Sequence, residues 1–326
     1  MDPLTQDKER TMLLDIRNGA PVSLESALLV LSGLQTDRGV LSYQHKIDDI
    51  FSRFQKKCDI TGPSGLSRPP AYLHGPIAEC LFKYLWTSKP KRFGDHFLLA
   101  DVVDAQLDPD VHRTVGTCVG LTSLYSVLGL RAGLNLSLLV NSDHLLGRIR
   151  VGGQTIDVDH TDPQGFDCVV GESFREFALL TLTANVLNSR GLRDEKEGEF
   201  AAAGEDYDKA VLVNPEYANA RNNRGNIRFR ENDLEAAVAD YTGAIRLNPA
   251  FREAWCNRGM ANQRLGRRDE ARRDYDMAVN ADPDYEDARE CLRLLDQIEQ
   301  GAPQAPCRAA SPRKSAAKGM ACSLLF

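Results

Sequence analysis

A 34-residue period in the second half of the chain constrains the fold more than any other feature. Glycine recurs at Gly191, Gly225 and Gly259. Four further columns keep the same spacing: Ala203, Ala237 and Ala271; Tyr207, Tyr241 and Tyr275; Ala210, Ala244 and Ala278; Pro215, Pro249 and Pro283. A period of this length is typical of stacked units that each bury an apolar face against the next. The sequence therefore predicts an all-α repeat solenoid.

These columns resemble the tetratricopeptide repeat, a helix–turn–helix unit. We expect the small residues where the two helices approach most closely, the tyrosines between repeats, and the prolines at the end of each second helix. The copy that begins at Gly191 is highly charged and has no aromatic residue in its first helix, so it is predicted to be a capping repeat. The amphipathic segment 285–295 is predicted to be a further helix that covers the last apolar face.

Three repeats are predicted to form a shallow concave groove that docks a peptide or protein. The first helix of the second repeat is polar, with Arg221, Asn222, Arg224, Asn226 and Arg228. Such side chains suit an acidic group or a C-terminal carboxylate. The alternatives are a solvated helix face, and a packing appendage that stabilises the first domain or a dimer.

Cys118 is the residue of the first half that most suggests chemistry. It follows Gly116 and Thr117 at the start of a predicted amphipathic helix whose apolar face contains Leu121, Leu124, Tyr125 and Leu128. With Thr117 as N-cap, the cysteine lies in the first turn. There, free N–H groups and the helix dipole stabilise a thiolate or an oxyanion. The alternative is a buried structural cysteine.

Two predicted strands, 144–151 and 154–159, flank Gly152-Gly153, which is a hairpin signal. Pairing across this turn places Arg148 opposite Asp157, and makes His144 a diagonal neighbour of Asp159 at about 7–8 Å between Cβ atoms. The same register places Ile149 opposite Ile156 and Leu146 opposite Asp159. Asp157 is then predicted to pair with Arg148, and Asp159 to orient His144. A slip of one residue would reverse this choice.

The segments Gly116-Thr-Cys118, Ser142-Asp-His144 and 155–161 resemble the Cys, His and Asp motifs of the transglutaminase-like superfamily. The resemblance is nearest to the bacterial SirB-type group, in which such a domain precedes tetratricopeptide repeats. It covers residues 80–170 well and 20–80 more loosely. In that family the Asp motif reads Val-Asp-Pro-Thr, whereas this chain has His160 in place of proline, and many members of the group lack the cysteine.

The resemblance implies an α+β papain-like domain, with the Cys helix packed on an antiparallel sheet. It also implies a triad in which Cys118 attacks an acyl carbon, His144 transfers the proton and Asp159 fixes the imidazole. The expected activity is amide hydrolysis or transamidation without a cofactor. We expect a transglutaminase-like domain over residues 1–180, three repeats and a capping helix over 181–297, and a disordered basic tail over 298–326.

Composition narrows the class of protein. The net charge of −6 argues against general nucleic-acid binding. No apolar window is long enough for a membrane span, and the first residues do not form a secretory signal. The eight scattered cysteines contain no C-x-x-C pair, so we predict neither a disulfide framework nor a zinc ribbon, and expect a cytoplasmic protein. Cys322 is fifth from the end and so does not match a prenylation motif.

Two alternatives to the enzyme remain open. One is a metal site with ligands drawn from Cys118, His112, His144, Asp159 and His160, although the spacing lacks a short ligand pair. The other is a non-enzymatic adaptor, in which the first domain is catalytically inactive and the repeats bind a partner. The identity of a substrate does not follow from the sequence, because specificity loops carry no local signature.

Overall fold

The computed structural model describes residues 3–60, 71–141, 144–171 and 174–299. These residues divide into two compact units, and the division between Val186 and Leu187 falls inside a helix. The expected tail lies outside the described residues except for 298 and 299, which close the last helix. No helix within the described ranges has the length and apolar character that a bilayer span requires.

Before the dividing helix, the described residues of the first unit form six helices, a short 3-10 turn and four strands. The helices are α1 (Pro3–Arg17), α2 (Leu24–Leu31), α3 (Asp37–Lys57), α4 (His74–Ser88), α5 (Leu99–Leu107) and α6 (Cys118–Arg131), with the 3-10 turn at Ala71–Leu73. The strands are β1 (Asn135–Val140), β2 (Leu145–Val151), β3 (Gln154–Val158) and β4 (Arg175–Phe177). They form one antiparallel sheet in the order β3-β2-β1-β4.

The hairpin between β2 and β3 has the predicted register. Ile149 pairs with Ile156 and Arg148 pairs with Asp157. Gly152 and Gly153 make the turn with φ values of 54° and 88°, which residues with a side chain rarely adopt. Because side chains alternate along a strand, this register determines which of them share a face near the end of β3.

Helix α6 differs from the amphipathic helix that the sequence predicts, because every residue from Cys118 to Gly129 is buried. It packs against β1 and β2 on one side, and against α4 and α5 on others. Its small polar residues make this possible: the Ser123 hydroxyl, for example, donates to the Val119 carbonyl within the helix. A helix that is covered on all sides shows no polar stripe.

Cys58 and Cys80 are joined within the described part of the first unit, although the scattered spacing suggested no disulfide framework. Cys58 at the end of α3 is bonded to Cys80 in α4, with a Cα–Cα distance of 6.3 Å. The thiols of Cys118, Cys168 and Cys256 are unoxidised.

The second unit is built from helix pairs. Helix α7 (Thr181–Glu197) spans the division and pairs with α8 (Phe200–Val213); then follow α9 (Ala218–Arg230) with α10 (Leu234–Leu247), α11 (Arg252–Arg264) with α12 (Arg268–Ala281), and α13 (Glu286–Glu299). The predicted three helix pairs and a final helix are therefore present. Helix α13 buries Ala288, Cys291 and Leu295 in a cluster with Tyr275.

The glycine and tyrosine columns are explained by one repeated contact. A Cβ atom at Gly191, Gly225 or Gly259 would lie 2.6 Å from the ring of the tyrosine 16 residues later in the same repeat. Tyr207, Tyr241 and Tyr275 are all buried. Only glycine leaves room for the ring at this helix crossing, so the two columns are coupled.

Candidate functional site

The connection between β1 and β2 holds His144 in place. The His144 backbone N–H donates to the Asn141 side-chain oxygen at 2.6 Å, and the Asn141 N–H donates to the His144 carbonyl at 3.1 Å. His144 thus directly precedes β2, and its imidazole is mostly buried. The ring also lies at an edge-on angle to Phe174, with 6.5 Å between the ring centres.

Asp159 directly follows β3 and contacts His144. Its Oδ2 lies 2.9 Å from His144 Nε2, and its Oδ1 accepts from both the N–H and the hydroxyl of Thr161, at 2.9 and 2.6 Å. Burial alone raises the pKa of this carboxyl, but the hydrogen bonds from His144 and Thr161 outweigh it and bring the pKa down to about 2. Asp159 is therefore an anion at neutral pH, and the contact that the register predicted is present.

Asp157 has the separate role that the register indicated. Both of its oxygens accept from the Arg148 guanidinium at 2.7 Å. Arg148 also reaches Glu176 on β4, which in turn contacts Arg150. This ion-pair network ties together three strands of the sheet, and the hydrogen bonds to Asp157 raise the pKa of Arg148 above its usual range.

Cys118 is the first residue of α6 and is 1% exposed. Thr117 is the N-cap, as predicted, and its hydroxyl accepts from the Gly120 N–H at 3.4 Å. The preceding segment is tightly packed, because a Cβ at Gly116 or Gly120 would lie 2.6 or 2.5 Å from the His96 carbonyl oxygen. Both glycines are therefore needed for the approach of residues 96–97 to the start of α6.

The topology places Cys118 at the same end of the sheet as the His144–Asp159 pair. After α6 the chain turns back into β1, with the Leu134 N–H donating to the Gly129 carbonyl at 2.9 Å. Strands β1 and β2, and then β2 and β3, are antiparallel. The start of α6, the start of β2 and the end of β3 therefore lie at one end of this layer, although Cys118 is almost inaccessible to solvent.

His160 occupies the position at which the resembled motif has proline, and it is 4% exposed. Its ring centre lies 4.3 Å from that of Tyr125 and 6.4 Å from that of Phe82. A Cβ on Gly147 would be 2.8 Å from its Nε2, which has no hydrogen-bond partner among the described residues. Burial lowers the pKa of His160 to about 3; Asp159 opposes the shift, while Arg92 and His144 add to it. His160 is thus a neutral core residue.

The part of the chain that the structure describes does not contain a set of ligands for the metal site that the sequence left open. No three His, Cys, Asp or Glu side chains there are grouped closely enough to hold an ion. His112, one of the candidate ligands, is exposed, whereas Cys118 and His160 are buried.

In the second unit, the arginines of the predicted docking face have structural partners. Arg224 makes a two-pronged contact with Asp240, with Nε–Oδ2 and Nη2–Oδ1 distances of 2.8 and 2.6 Å, and Arg228 also reaches Asp240 at 2.8 Å. Arg221 donates to the Pro215 carbonyl. Arg224 and Arg228, which the sequence offered as candidates for a ligand carboxylate, instead contact the carboxylate of Asp240.

The Arg224–Asp240 contact repeats with the 34-residue period. Arg190 pairs with Asp206 and Arg258 pairs with Asp274 in the same way, and all three aspartates are buried. Each pair joins the two helices of one repeat. The period shows both columns in the sequence, but the arginines there were expected to face a ligand or solvent, and the pairing with the aspartates was not predicted.

Asparagine side chains link the first helices of successive repeats. Asn223 donates to Asn188 at 2.9 Å, and Asn257 donates to Asn222 and Asn226 at 3.0 and 3.1 Å. We call these five residues the asparagine ladder. Asn188, Asn222 and Asn257 are buried, whereas Asn223 and Asn226 are half-buried. The ladder thus presents amide groups on the first-helix face.

Known proteins support the repeat assignment. Family models described as "TPR repeat" and "Tetratricopeptide repeat" match residues 225–266 and 252–285. No curated protein matches the chain. These family matches begin at residue 225 and do not reach the first unit.

Among the solved structures that are similar to about a third of the chain are three tetratricopeptide-repeat domains. The first tetratricopeptide-repeat domain of Spaghetti (RPAP3), bound to an HSP90 peptide, is 28% identical with a TM-score of 0.35 over 36% of this chain and 94% of that one. The second such domain of human RPAP3, in complex with an HSP70 peptide, is 27% identical with a TM-score of 0.34 over 35% and 94%. The Arabidopsis OM64 domain is 24% identical, with a TM-score of 0.34 over 35% and 94%. The two family models show that residues 225–285 consist of tetratricopeptide repeats.

Proposed function

We propose that this protein is an adaptor whose tetratricopeptide repeats dock an extended peptide on the first-helix face. The observation that carries the proposal is the asparagine ladder. A carboxamide can donate two hydrogen bonds and accept two, so it matches both the N–H and the C=O of a peptide backbone. Half-buried amides that repeat along a face therefore provide recognition that does not depend on peptide sequence.

Asn223 is the ladder residue best suited to contact a ligand. It accepts from Asn222 and donates one N–H to Asn188. Within the described residues, this leaves a second N–H and a second lone pair for a peptide. Arg221, one turn before Arg224, adds positive charge to the same helix, so we propose a preference for acidic peptides.

The test is a titration with peptides selected by display on the full-length chain. Asn223→Asp removes both N–H donors and adds a negative charge, so it should weaken the affinity at least tenfold. Asn280→Asp is the matched control, because Asn280 is an exposed residue of α12 on a second helix. Equal affinities of Asn223→Asp and Asn280→Asp would contradict docking on this face.

A folding check accompanies the titration. The two tryptophans report on different units, since Trp86 lies in α4 and Trp255 in α11. The unfolding midpoint followed by Trp255 in a Trp86→Phe background shows whether Asn223→Asp keeps the repeats folded. If it does not, Arg221→Gln provides the second variant and should weaken the binding of acidic peptides.

A second candidate function is thiol chemistry at Cys118, and the His144–Asp159 hydrogen bond favours it. An imidazole that donates its Nε2–H to Asp159 has its basic lone pair at Nδ1, the atom that would take the thiol proton. The thiolate then attacks an acyl carbon, the amine leaves with the proton from His144, and water or a second amine cleaves the thioester. In this proposal residues 1–180 are a transglutaminase-like domain.

The thiol proposal predicts that Cys118 is alkylated at pH 7 much faster than Cys168 or Cys256. Burial raises the pKa of both control thiols, that of Cys256 to about 12, so they stay protonated. Mass spectrometry after timed alkylation measures the three rates in one sample. His144→Ala should slow the Cys118 reaction at least tenfold. A Cys118 rate no higher than that of Cys168, which is the more exposed of the two thiols, would exclude this function.

A further inference from the structure

The bonded pair Cys58–Cys80 is positioned for exchange with small thiols. Both residues are half-buried, so a small thiol can approach the bond from solvent. Their Cα atoms are 6.3 Å apart, which is a distance that a disulfide spans without backbone movement. Lys56 and Lys57 precede Cys58 in the last turn of α3. Their positive charge opposes the negative end of the α3 dipole, which disfavours a thiolate at Cys58.

The pair connects two helices whose positions matter for the rest of the unit. Cys58 caps the C-terminus of α3, where its N–H donates to the Phe54 carbonyl. Cys80 lies within α4, between Ala78, whose carbonyl accepts from the Tyr125 hydroxyl, and Phe82, whose ring lies against His160. Helix α4 therefore supports both α6 and the segment that follows β3.

We propose that Cys58 and Cys80 form a thiol–disulfide exchange site that locks α4 to α3 when oxidised and releases it when reduced. A small-molecule thiolate attacks one sulfur and forms a mixed disulfide, with the other cysteine leaving as a thiolate. A second small thiol then displaces the cysteine, which yields two protein thiols and one small disulfide. The reverse exchange with a small disulfide restores the lock. The site is independent of whether Cys118 is catalytic.

The Cys58–Cys80 disulfide stabilises the first unit by restricting its unfolded chain. The restriction is substantial because the two cysteines are 22 residues apart in sequence. We expect reduction with dithiothreitol to lower the thermal unfolding midpoint, followed by Trp86 fluorescence in a Trp255→Phe background, by roughly 5 °C or more. Removal of the reductant and addition of oxidised glutathione should restore the midpoint.

The wild type and two variants distinguish the loss of the Cys58–Cys80 disulfide from a general effect of reductant. Cys80→Ser should show the reduced midpoint under both conditions, whereas Cys168→Ser should keep the full shift. In the oxidised wild-type protein, differential alkylation should label Cys168 and leave Cys58 and Cys80 unlabelled. Labelling of Cys58 and Cys80 as fast as Cys168, or a midpoint that reductant does not move, would overturn the proposal.

Discussion

At the scale of single residues, His160 shows how a core can accommodate a histidine. Proline, which the resembled motif has at this position, needs neither a polar partner nor space for an imidazole. The histidine lies on Tyr125, and Gly147 on the neighbouring strand leaves room for it. The cost is an imidazole that stays neutral in the fold, since burial lowers its pKa to about 3.

Because the His160 imidazole stays neutral in the folded protein, the stability of the first unit should depend on pH. Below about pH 6.5 the unfolded chain binds a proton at His160 that the folded chain does not, so stability falls as the pH falls from about 6.5 towards 3. Between pH 7 and pH 5 we expect the free energy of unfolding of the first unit to fall by about 2 kcal/mol more in the wild type than in His160→Gln. Denaturant unfolding followed by Trp86, with Trp255 replaced by Phe, measures this difference.

The exposed His112 provides the control, because His112→Gln should keep the wild-type pH dependence. Asp159 does not interfere in this window. Its pKa is lowered to about 2, so its contribution to stability is lost only as the pH falls below about 4. An identical loss of stability in His160→Gln and the wild type between pH 7 and pH 5 would show that His160 is not held neutral.

At the scale of helices and strands, local signals predicted the elements that position Cys118, His144 and Asp159. Thr117 is the N-cap of α6 and Gly152-Gly153 forms the turn of the hairpin, as the sequence indicated. The contact between His144 and Asp159 followed from that register. The burial of α6 on all sides could not be predicted from its own sequence, because it depends on α4, α5 and two strands that pack around it.

The repeat crossings give a sharp test at this scale. Gly225→Ala places a Cβ 2.6 Å from the buried Tyr241 ring, and we expect it to destabilise the second unit by about 1–3 kcal/mol. At Gly243, also within a helix, the nearest atom is the flexible end of Arg221 at 3.1 Å. Gly243→Ala should be neutral or stabilising by up to about 1 kcal/mol, because alanine favours the helix.

Unfolding followed by Trp255, in a Trp86→Phe background, compares the two variants directly. Loss of stability in both, by the same amount, would indicate that any side chain within these helices is harmful. It would remove the special role given to the glycine–tyrosine contact.

At the scale of the whole molecule, the repeats were the most predictable part because a period of 34 residues appears in five columns. The partners of the arginines were not predictable from helix-face reasoning alone, since Asp240 and its equivalents lie on the other helix of each repeat. The Cys58–Cys80 bond depends on how two helices approach each other, and no local spacing indicated it.

The two proposed functions predict different fates for a bound peptide. One is docking by the repeats, and the other is acyl transfer at Cys118. An adaptor holds the peptide and returns it unchanged, and Cys118 plays no part in the binding. A thiol enzyme converts the peptide, and the conversion depends on Cys118.

The most direct measurement is to titrate a display-selected peptide into the wild type and Cys118→Ala, and then to determine the mass of the recovered peptide. The adaptor account predicts equal affinities, one binding event per chain and a peptide of unchanged mass with both proteins. A peptide that is cleaved or joined to an amine by the wild type, and is left unchanged by Cys118→Ala, would contradict it.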